Sequence, residues 1–125
     1  MSRVQLSINV GDFDAAVAFY TRLFGVGPAK LRPGYANFAL DDPPLKLVLN
    51  SPGNGPGGTI NHLGVEVGST DDVTQAEDRL AASGLPVEAE PGAVCCYARQ
   101  DKVWVRDPDG VAWEYYTVLE HIETP

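Results

Sequence analysis

The sequence predicts an α+β protein built from two copies of one βαβββ unit, and three observations predict it. First, the chain repeats itself at an offset of 57 residues, so that Val4-Gln5-Leu6-Ser7-Ile8-Asn9-Val10-Gly11 falls on Asn61-His62-Leu63-Gly64-Val65-Glu66-Val67-Gly68. Asp14 then falls on Asp71, and Arg22-Leu23 on Arg79-Leu80. Second, each copy opens with strict alternation of apolar and polar residues, the mark of a strand with two unlike faces. Third, a helical period follows each alternating run, and strand-like stretches follow each helix. The match is weak at single positions but persists over a strand, a turn and a helix, as a repeated supersecondary unit requires.

The first strand presents Val4, Leu6, Ile8 and Val10 on one side and Gln5, Ser7 and Asn9 on the other. The helix after it carries Val17, Tyr20, Leu23 and Phe24 at helical spacing; Asp12 or Asp14 can cap it, and Gly25 stops it. Strand-like stretches follow at Ala29-Leu31, Tyr35-Leu40 and Leu45-Leu49. The Gly/Pro-rich residues 50–58 join the copies and are expected to be flexible. In the second copy Leu63, Val65 and Val67 oppose His62, Gly64 and Glu66. Ser69 with Asp72 resembles a capping box, Val73, Ala76 and Leu80 form the apolar stripe, and Gly84 ends the helix. Strands are expected at Pro86-Ala89, near Val94-Tyr97 continuing into Val103-Arg106, and at Ala112-Val118. Asp107-Pro108-Asp109-Gly110 reads as the turn before the last of them. The expected organisation is one domain over residues 1–125, with a first module at about 2–50, a linker at about 51–58 and a second module at about 59–120.

At 125 residues the chain can bury a core without disulfides or metals. Its net charge of −8 argues against nucleic acid or an anionic membrane as partner. No apolar run reaches the length of a membrane span, and no signal-peptide core follows Met1, so a cytoplasmic protein with reduced thiols is expected.

The only two cysteines are neighbours, Cys95 and Cys96. A bridge between them would close a small strained ring, so a fold-stabilising disulfide is not expected. Two readings stay open: a pair of small buried hydrophobes, or a dithiol that chelates one soft centre such as Cd(II), Zn(II), Cu(I) or, by chemical analogy, trivalent arsenic. Both thiols reach one centre only from a loop or bulge, because successive strand residues face opposite sides. Gln5 and His62 hold equivalent places in the repeat, on the face left uncovered if the helices cover the apolar side. Glu114 lies in the final strand, with Trp113 and Tyr115 pointing away from it. An imidazole, a carboxylate and an amide can form a three-ligand set with open coordination positions. Each of the three is also an ordinary strand residue when taken alone. His121, near the C-terminus, is expected to be exposed and without a role.

The doubled βαβββ unit, with Gln or His in each opening strand and Asp-Pro-Asp-Gly-x-x-Trp-Glu at residues 107–114, resembles the vicinal-oxygen-chelate superfamily. That superfamily includes glyoxalases, extradiol dioxygenases and bleomycin- or fosfomycin-resistance proteins. Asn61-His62-Leu63-Gly64-Val65, Gly92-Ala-Val-Cys-Cys-Tyr97 and Gln100-Asp-Lys-Val-Trp-Val105 resemble one branch of it, the organoarsenical carbon–arsenic lyases and cadmium-induced proteins. The resemblance implies curved mixed sheets around a concave metal-binding cavity. It implies that Gln5, His62 and Glu114 hold Fe(II) and act in catalysis, and that Cys95 and Cys96 hold the arsenic of a trivalent organoarsenical. It makes Cys95 to Lys102 a mobile substrate loop, with Tyr97, Gln100 and Lys102 as further substrate contacts. The expected function is therefore a dioxygen-using C–As lyase that frees arsenite from methyl- or aryl-arsenicals, as a monomer or homodimer. The alternatives are a non-catalytic Cd(II)/As(III)-binding resistance protein, another dioxygenase or glyoxalase-like enzyme, and a drug-binding module without metal. Leu45-Lys46-Leu47-Val48-Leu49 carries no carboxylate where a glyoxalase has its fourth ligand, which counts against glyoxalase chemistry. Phe38, Tyr97, Trp104 and Tyr116 are candidates for shaping a pocket around the organic group.

Overall fold

The computed structural model describes residues 2–125. Its elements run β1 (Arg3–Asn9), α1 (Phe13–Phe24), β2 (Lys30–Arg32), β3 (Tyr35–Asp41), β4 (Pro44–Asn50), β5 (Ile60–Glu66), α2 (Thr70–Ala82), β6 (Glu88–Cys95), β7 (Ala98–Arg106) and β8 (Ala112–His121). This is the βαβββ order twice, in the α+β fold the repeat predicted. The described residues form two compact units, Val4–Leu63 and Gly64–Pro125 with residues 2–3. No helix among the described residues is long and apolar enough to cross a membrane.

In the Val4–Leu63 unit Asp12, not Asp14, caps α1: its backbone is extended and its carboxylate accepts from the Ala15 N–H at 3.0 Å. Asp14 in the first turn and Arg22 in the last suit the helix dipole. Gly25 ends the helix at φ 73, a left-handed conformation that costs glycine nothing, and its N–H closes onto the Thr21 carbonyl. Phe13, Ala16, Val17, Tyr20 and Phe24 of α1, together with Leu6 and Ile8 of β1, pack on Val10 and on Ala36, Phe38, Leu47 and Leu49 of β3 and β4. Phe38 is fully buried there, 5.8 Å from Phe24 and 6.3 Å from Tyr20 between ring centroids. It therefore belongs to the core beneath α1 rather than to a substrate pocket.

The strands of this unit lie in the order β2-β3-β4-β1, antiparallel except for the β4–β1 pair. Alternation sends Gln5, Ser7 and Asn9 to the side away from α1. That side was expected to be uncovered, yet these three are only 5%, 0% and 3% exposed, whereas Val4 is 49% exposed. Burial of so many polar groups is tolerable because they bond one another. Asn50 Nδ2 donates to Ser7 Oγ at 2.9 Å, Asn61 Nδ2 to Asn9 Oδ1 at 3.1 Å, and Asn9 Nδ2 to Thr59 Oγ1 at 3.0 Å. The Gly/Pro-rich stretch is anchored at its end, where Gly58 N–H donates to the Asn9 carbonyl and Asn9 N–H to the Thr59 carbonyl, both at 2.8 Å. Its glycine content reflects close approach as well as turning: a Cβ on Gly57 would stand 2.9 Å from the Gly11 nitrogen.

In the Gly64–Pro125 unit Ser69 caps α2 by accepting from the Asp72 N–H, and Val73, Ala76 and Leu80 are buried as the stripe predicted. The strand order is β8-β7-β6, antiparallel throughout. Helix α2 packs on β7 and β8. Thr70 Oγ1 donates to Asp101 Oδ2 at 2.7 Å, and the Arg79 guanidinium bonds the Tyr115 hydroxyl and lies 5.7 Å from its ring centre. Asp101, Val103, Tyr115 and Thr117 thus face α2, and Gln100, Lys102, Trp104, Glu114 and Tyr116 face away, with Lys102 opposite Tyr116 and Trp104 opposite Glu114.

The expected strands at Pro86-Ala89 and Val94-Tyr97 merge into one, β6. A bulge between Glu90 and Ala93 lets Pro91 sit in the strand, with Gly92 at φ 65 and its N–H bonded to Asp101 Oδ1 at 2.8 Å. Strand β7 accordingly starts at Ala98, earlier than expected. The Asp107–Gly110 turn forms as expected: Asp107 Oδ1 accepts from the N–H groups of Asp109 and Val111.

Candidate functional site

The expected site residues fall into two groups, one in each unit. Gln5 and His62 come together in the Val4–Leu63 unit, from β1 and β5, with Gln5 Nε2 and His62 Nε2 3.3 Å apart. The other imidazole nitrogen, Nδ1, lies 2.8 Å from Asn61 Oδ1. An amide oxygen can only accept, so Nδ1 carries the proton and Nε2 keeps its lone pair. A chain of bonds fixes Asn61 in turn: its Nδ2 donates to Asn9, Asn9 Nδ2 donates to Thr59 Oγ1, and the Thr59 hydroxyl donates to the Pro56 carbonyl at 2.5 Å. An imidazole whose far nitrogen is held by an oxygen is how proteins orient a histidine for a metal. Asn61, Asn9 and Thr59 escaped sequence reasoning, because an asparagine or threonine announces this role only once its partner is known.

The second group lies on the face of β7 and β8 turned away from α2. Cys95 ends β6 and pairs with Ala98 across a two-residue loop, Cys96-Tyr97. Both loop residues have positive φ, 58° and 61°, as a type I′ hairpin turn demands. That turn ordinarily uses Asn-Gly, and side chains like these adopt it at a cost. The loop is thus much shorter than expected: Ala98 to Lys102, predicted as part of a substrate loop, is strand paired on both sides. Cys96 lies in the turn, and Cys95 stands at its edge as the last residue of β6. Tyr97 is buried, and its carbonyl accepts from the Ile122 N–H at 3.0 Å.

Around Cys95 Sγ stand Gln100 Nε2 at 3.5 Å and Lys102 Nζ at 3.6 Å. Lys102 Nζ also lies 2.9 Å from Glu114 Oε1, an ion pair with both side chains almost fully buried. The ammonium sits 5.4 Å from the Trp104 ring centre and 5.8 Å from that of Tyr116, within cation–π range. The Cys96 thiol, donating to Cys95, and the nearby Lys102 hold Cys95 down to about 6 against the opposing pull of burial. Cys96 is pushed up, because ionising it would forfeit that hydrogen bond and place a second charge in a buried spot. For Lys102, burial favours the neutral amine, but Glu114 and Cys95 together outweigh it and hold the ammonium. His121 is exposed, as expected, and is the last residue of β8.

These donors suit two kinds of chemistry. Gln5 oxygen, His62 Nε2 and the Glu114 carboxylate are hard or borderline ligands of the kind that hold Fe(II), while the two sulfurs suit a thiophilic centre. The expected hard set counts an amide. Among the described residues no three His, Cys, Asp or Glu side chains gather as a metal cluster.

A family model described as the glyoxalase/bleomycin resistance protein/dioxygenase superfamily matches residues 2–115. The chain is 60% identical over 125 residues to the cadmium-induced protein CadI of Mycobacterium tuberculosis, covering 99% of this chain and 81% of that protein. It is 52% identical over 124 residues to the trivalent organoarsenical cleaving enzyme of Thermomonospora curvata, covering 99% and 82%, and 37% identical to that of a Bacillus species, covering 98% and 77%. Among solved structures, an extradiol ring-cleaving dioxygenase from B. fuscum superposes with a TM-score of 0.69 at 21% identity, over 97% of this chain and 34% of the dioxygenase. That last likeness speaks for the fold alone. The doubled unit, the family match and the identity over most of the relatives' length agree, and the chain belongs to the glyoxalase/bleomycin resistance protein/dioxygenase superfamily.

Proposed function

We propose that this chain is an Fe(II)-dependent carbon–arsenic lyase that uses dioxygen to release arsenite from trivalent methyl- or aryl-arsenicals. The observation that carries the reading is the thiol pair in its hairpin turn, with Cys95 held as a thiolate beside Lys102. Two thiols chelate a trivalent arsenic centre, whereas the oxyanions of pentavalent forms offer sulfur no thiophilic target. The relatives named as trivalent organoarsenical cleaving enzymes support the same substrate class.

In this reading Gln5, His62 and Glu114 hold the iron, which when bound supplies the activation of dioxygen. Asn61 keeps the proton on His62 Nδ1, so that Nε2 is available as a ligand. Cys95 and Cys96 immobilise the arsenic, and holding the reacting centre in place supplies much of the rate. Lys102 carries the positive charge that balances both the Cys95 sulfur and the Glu114 carboxylate. For methylarsonous acid the atoms balance with one dioxygen: carbon leaves as formaldehyde, arsenic as arsenous acid, and no outside reductant is needed.

The test is anaerobic loading with Fe(II), addition of methylarsonous or phenylarsonous acid, then air, with arsenic speciation by chromatography. Release of arsenite with uptake of dioxygen is expected. Cys96→Ser should stop turnover but spare iron binding, and His62→Ala should do the reverse, losing iron while still binding the arsenical. A second reading has its own support in the 60% identity to a cadmium-induced protein: sequestration of Cd(II) or As(III) by the same thiols without turnover. Tight binding with no dioxygen consumed would select it and reject the lyase.

A further inference from the structure

The two cysteines are not equivalent. Two donors converge on Cys95 Sγ: the Lys102 ammonium at 3.6 Å and the Gln100 amide at 3.5 Å. Both favour the charged sulfur, so the pair loses its first proton at Cys95. Ionising Cys96 as well would put two negative charges side by side in a partly buried turn. A thiolate, not a thiol, attacks a thiophilic centre.

We infer that the pair takes arsenic in a fixed order: Cys95 makes the first As–S bond and Cys96 the second, with Lys102 as the positioning residue for the Cys95 sulfur. The inference rests on the reading that this pair binds a trivalent organoarsenical, R–As(OH)2. In the first step a Cys95 lone pair forms the As–S bond, and one hydroxide departs as water with a proton from solvent. Cys95 then no longer places a negative charge beside the Cys96 thiol. In the second step the Cys96 sulfur bonds to arsenic, and its proton leaves with the remaining hydroxyl as a second water. Arsenic stays trivalent throughout, so no oxidant or reductant is involved. Lys102, released from a sulfur that is no longer charged, retains Glu114 at 2.9 Å.

The experiment uses the full chain without iron or oxygen; the two cysteines share one peptide, and fragment-ion sequencing of that peptide assigns each label. Limiting iodoacetamide at pH 7 should label Cys95 at least about tenfold over Cys96, the difference expected between a thiolate and a thiol. With phenylarsonous acid, followed by tryptophan fluorescence, Cys96→Ser should form a one-sulfur adduct within about threefold of the wild-type rate, and Cys95→Ser should be slower by about tenfold or more. Lys102→Met should slow both the labelling of Cys95 and the first phase of capture, without changing the labelling of Cys96, and Lys102→Arg should restore most of the loss. Lys102→Met leaves Glu114 buried without its cation, so the pair Lys102→Met with Glu114→Gln repeats the measurement with both charges gone. Equal labelling of the two cysteines, or a first adduct on Cys96, overturns the order while leaving the thiol site standing. Unchanged Cys95 labelling in both Lys102 variants overturns the part given to Lys102. No uptake of phenylarsonous acid by a wild type that still labels at Cys95 overturns the order and the substrate reading together.

Discussion

Replacing Cys96 by asparagine should stabilise the protein while disabling its capture of arsenic. Cys96 sits at φ 58 as the first loop residue of the β6–β7 hairpin, followed by Tyr97 at φ 61. An ordinary side chain held in the left-handed region costs roughly 1–2 kcal/mol. Asparagine tolerates that region and is the preferred first residue of a type I′ turn. Its amide N–H can also replace the Cys96 thiol as donor to Cys95. Part of the side-chain contact is lost, so a net gain of about 0.5–1 kcal/mol remains, which for a chain of this size raises the melting temperature by about 2–4 °C. Thermal unfolding followed by circular dichroism measures it, and titration with phenylarsonous acid shows binding through one sulfur instead of two. Tyr97→Gly provides the contrast. It relieves the same kind of strain but discards a side chain that is only 8% exposed. Burying such a ring is worth about 1.5–3 kcal/mol, so that variant should be the less stable one. If Cys96→Asn melts below the wild type, the turn stores no strain at Cys96 and the reasoning fails.

Three other outcomes follow from the same geometry. Asn61→Ala frees His62 Nδ1 from its acceptor and should weaken metal binding by about 10-fold or more, as loss of a ligand's supporting partner does, read by the visible bands of Co(II) titrated in place of iron. Phe38→Ala empties a fully buried site beneath α1 and should cost about 3–5 kcal/mol in urea unfolding. Cys95 is held down to about 6 from an ordinary 9.0, so its thiolate favours the folded state: that contribution is complete above about 9 and is lost as pH falls toward 6. The urea midpoint of the wild type should therefore drop further between pH 8.5 and pH 6 than that of Cys95→Ser.

The parts of the fold that could be read from the residues were those fixed by local rules. Period and capping placed α1 and α2 to within a residue or two, because Asp12, Gly25, Ser69 and the Val73-Ala76-Leu80 stripe act on their own helices. The β6–β7 hairpin was misjudged where a local rule was overridden. Pro91 reads as a strand breaker, and only the bulge at Gly92, tied to Asp101, lets the strand run through it. On β1 alternation tells which residues share a face, not which face is buried. On its polar side burial is sustained by a hydrogen-bond chain whose members lie as far apart as Asn9 and Asn61. The individual site residues were legible as types, while their partners were not. Nothing in the sequence says that Lys102 bonds Glu114 rather than solvent, since that depends on the β7–β8 register.

The two units apply one rule to different ends. In each, residues of one parity meet the helix and those of the other parity carry the polar chemistry. In the Val4–Leu63 unit that chemistry is neutral, a run of amides and hydroxyls from Pro56 through Thr59, Asn9 and Asn61 to His62. In the Gly64–Pro125 unit it is charged, with Lys102 between Glu114 and Cys95. The difference matches what each reacting atom needs. His62 serves as a ligand only if Nε2 carries no proton, and the Asn61 oxygen on Nδ1 fixes that tautomer. A thiol has no second nitrogen to carry its proton, so Cys95 is kept bare by a cation instead. Exchanging the two devices would defeat both: a carboxylate at Asn61 would favour imidazolium, and an amide at Lys102 would leave both the thiolate and the buried Glu114 without a counter-charge.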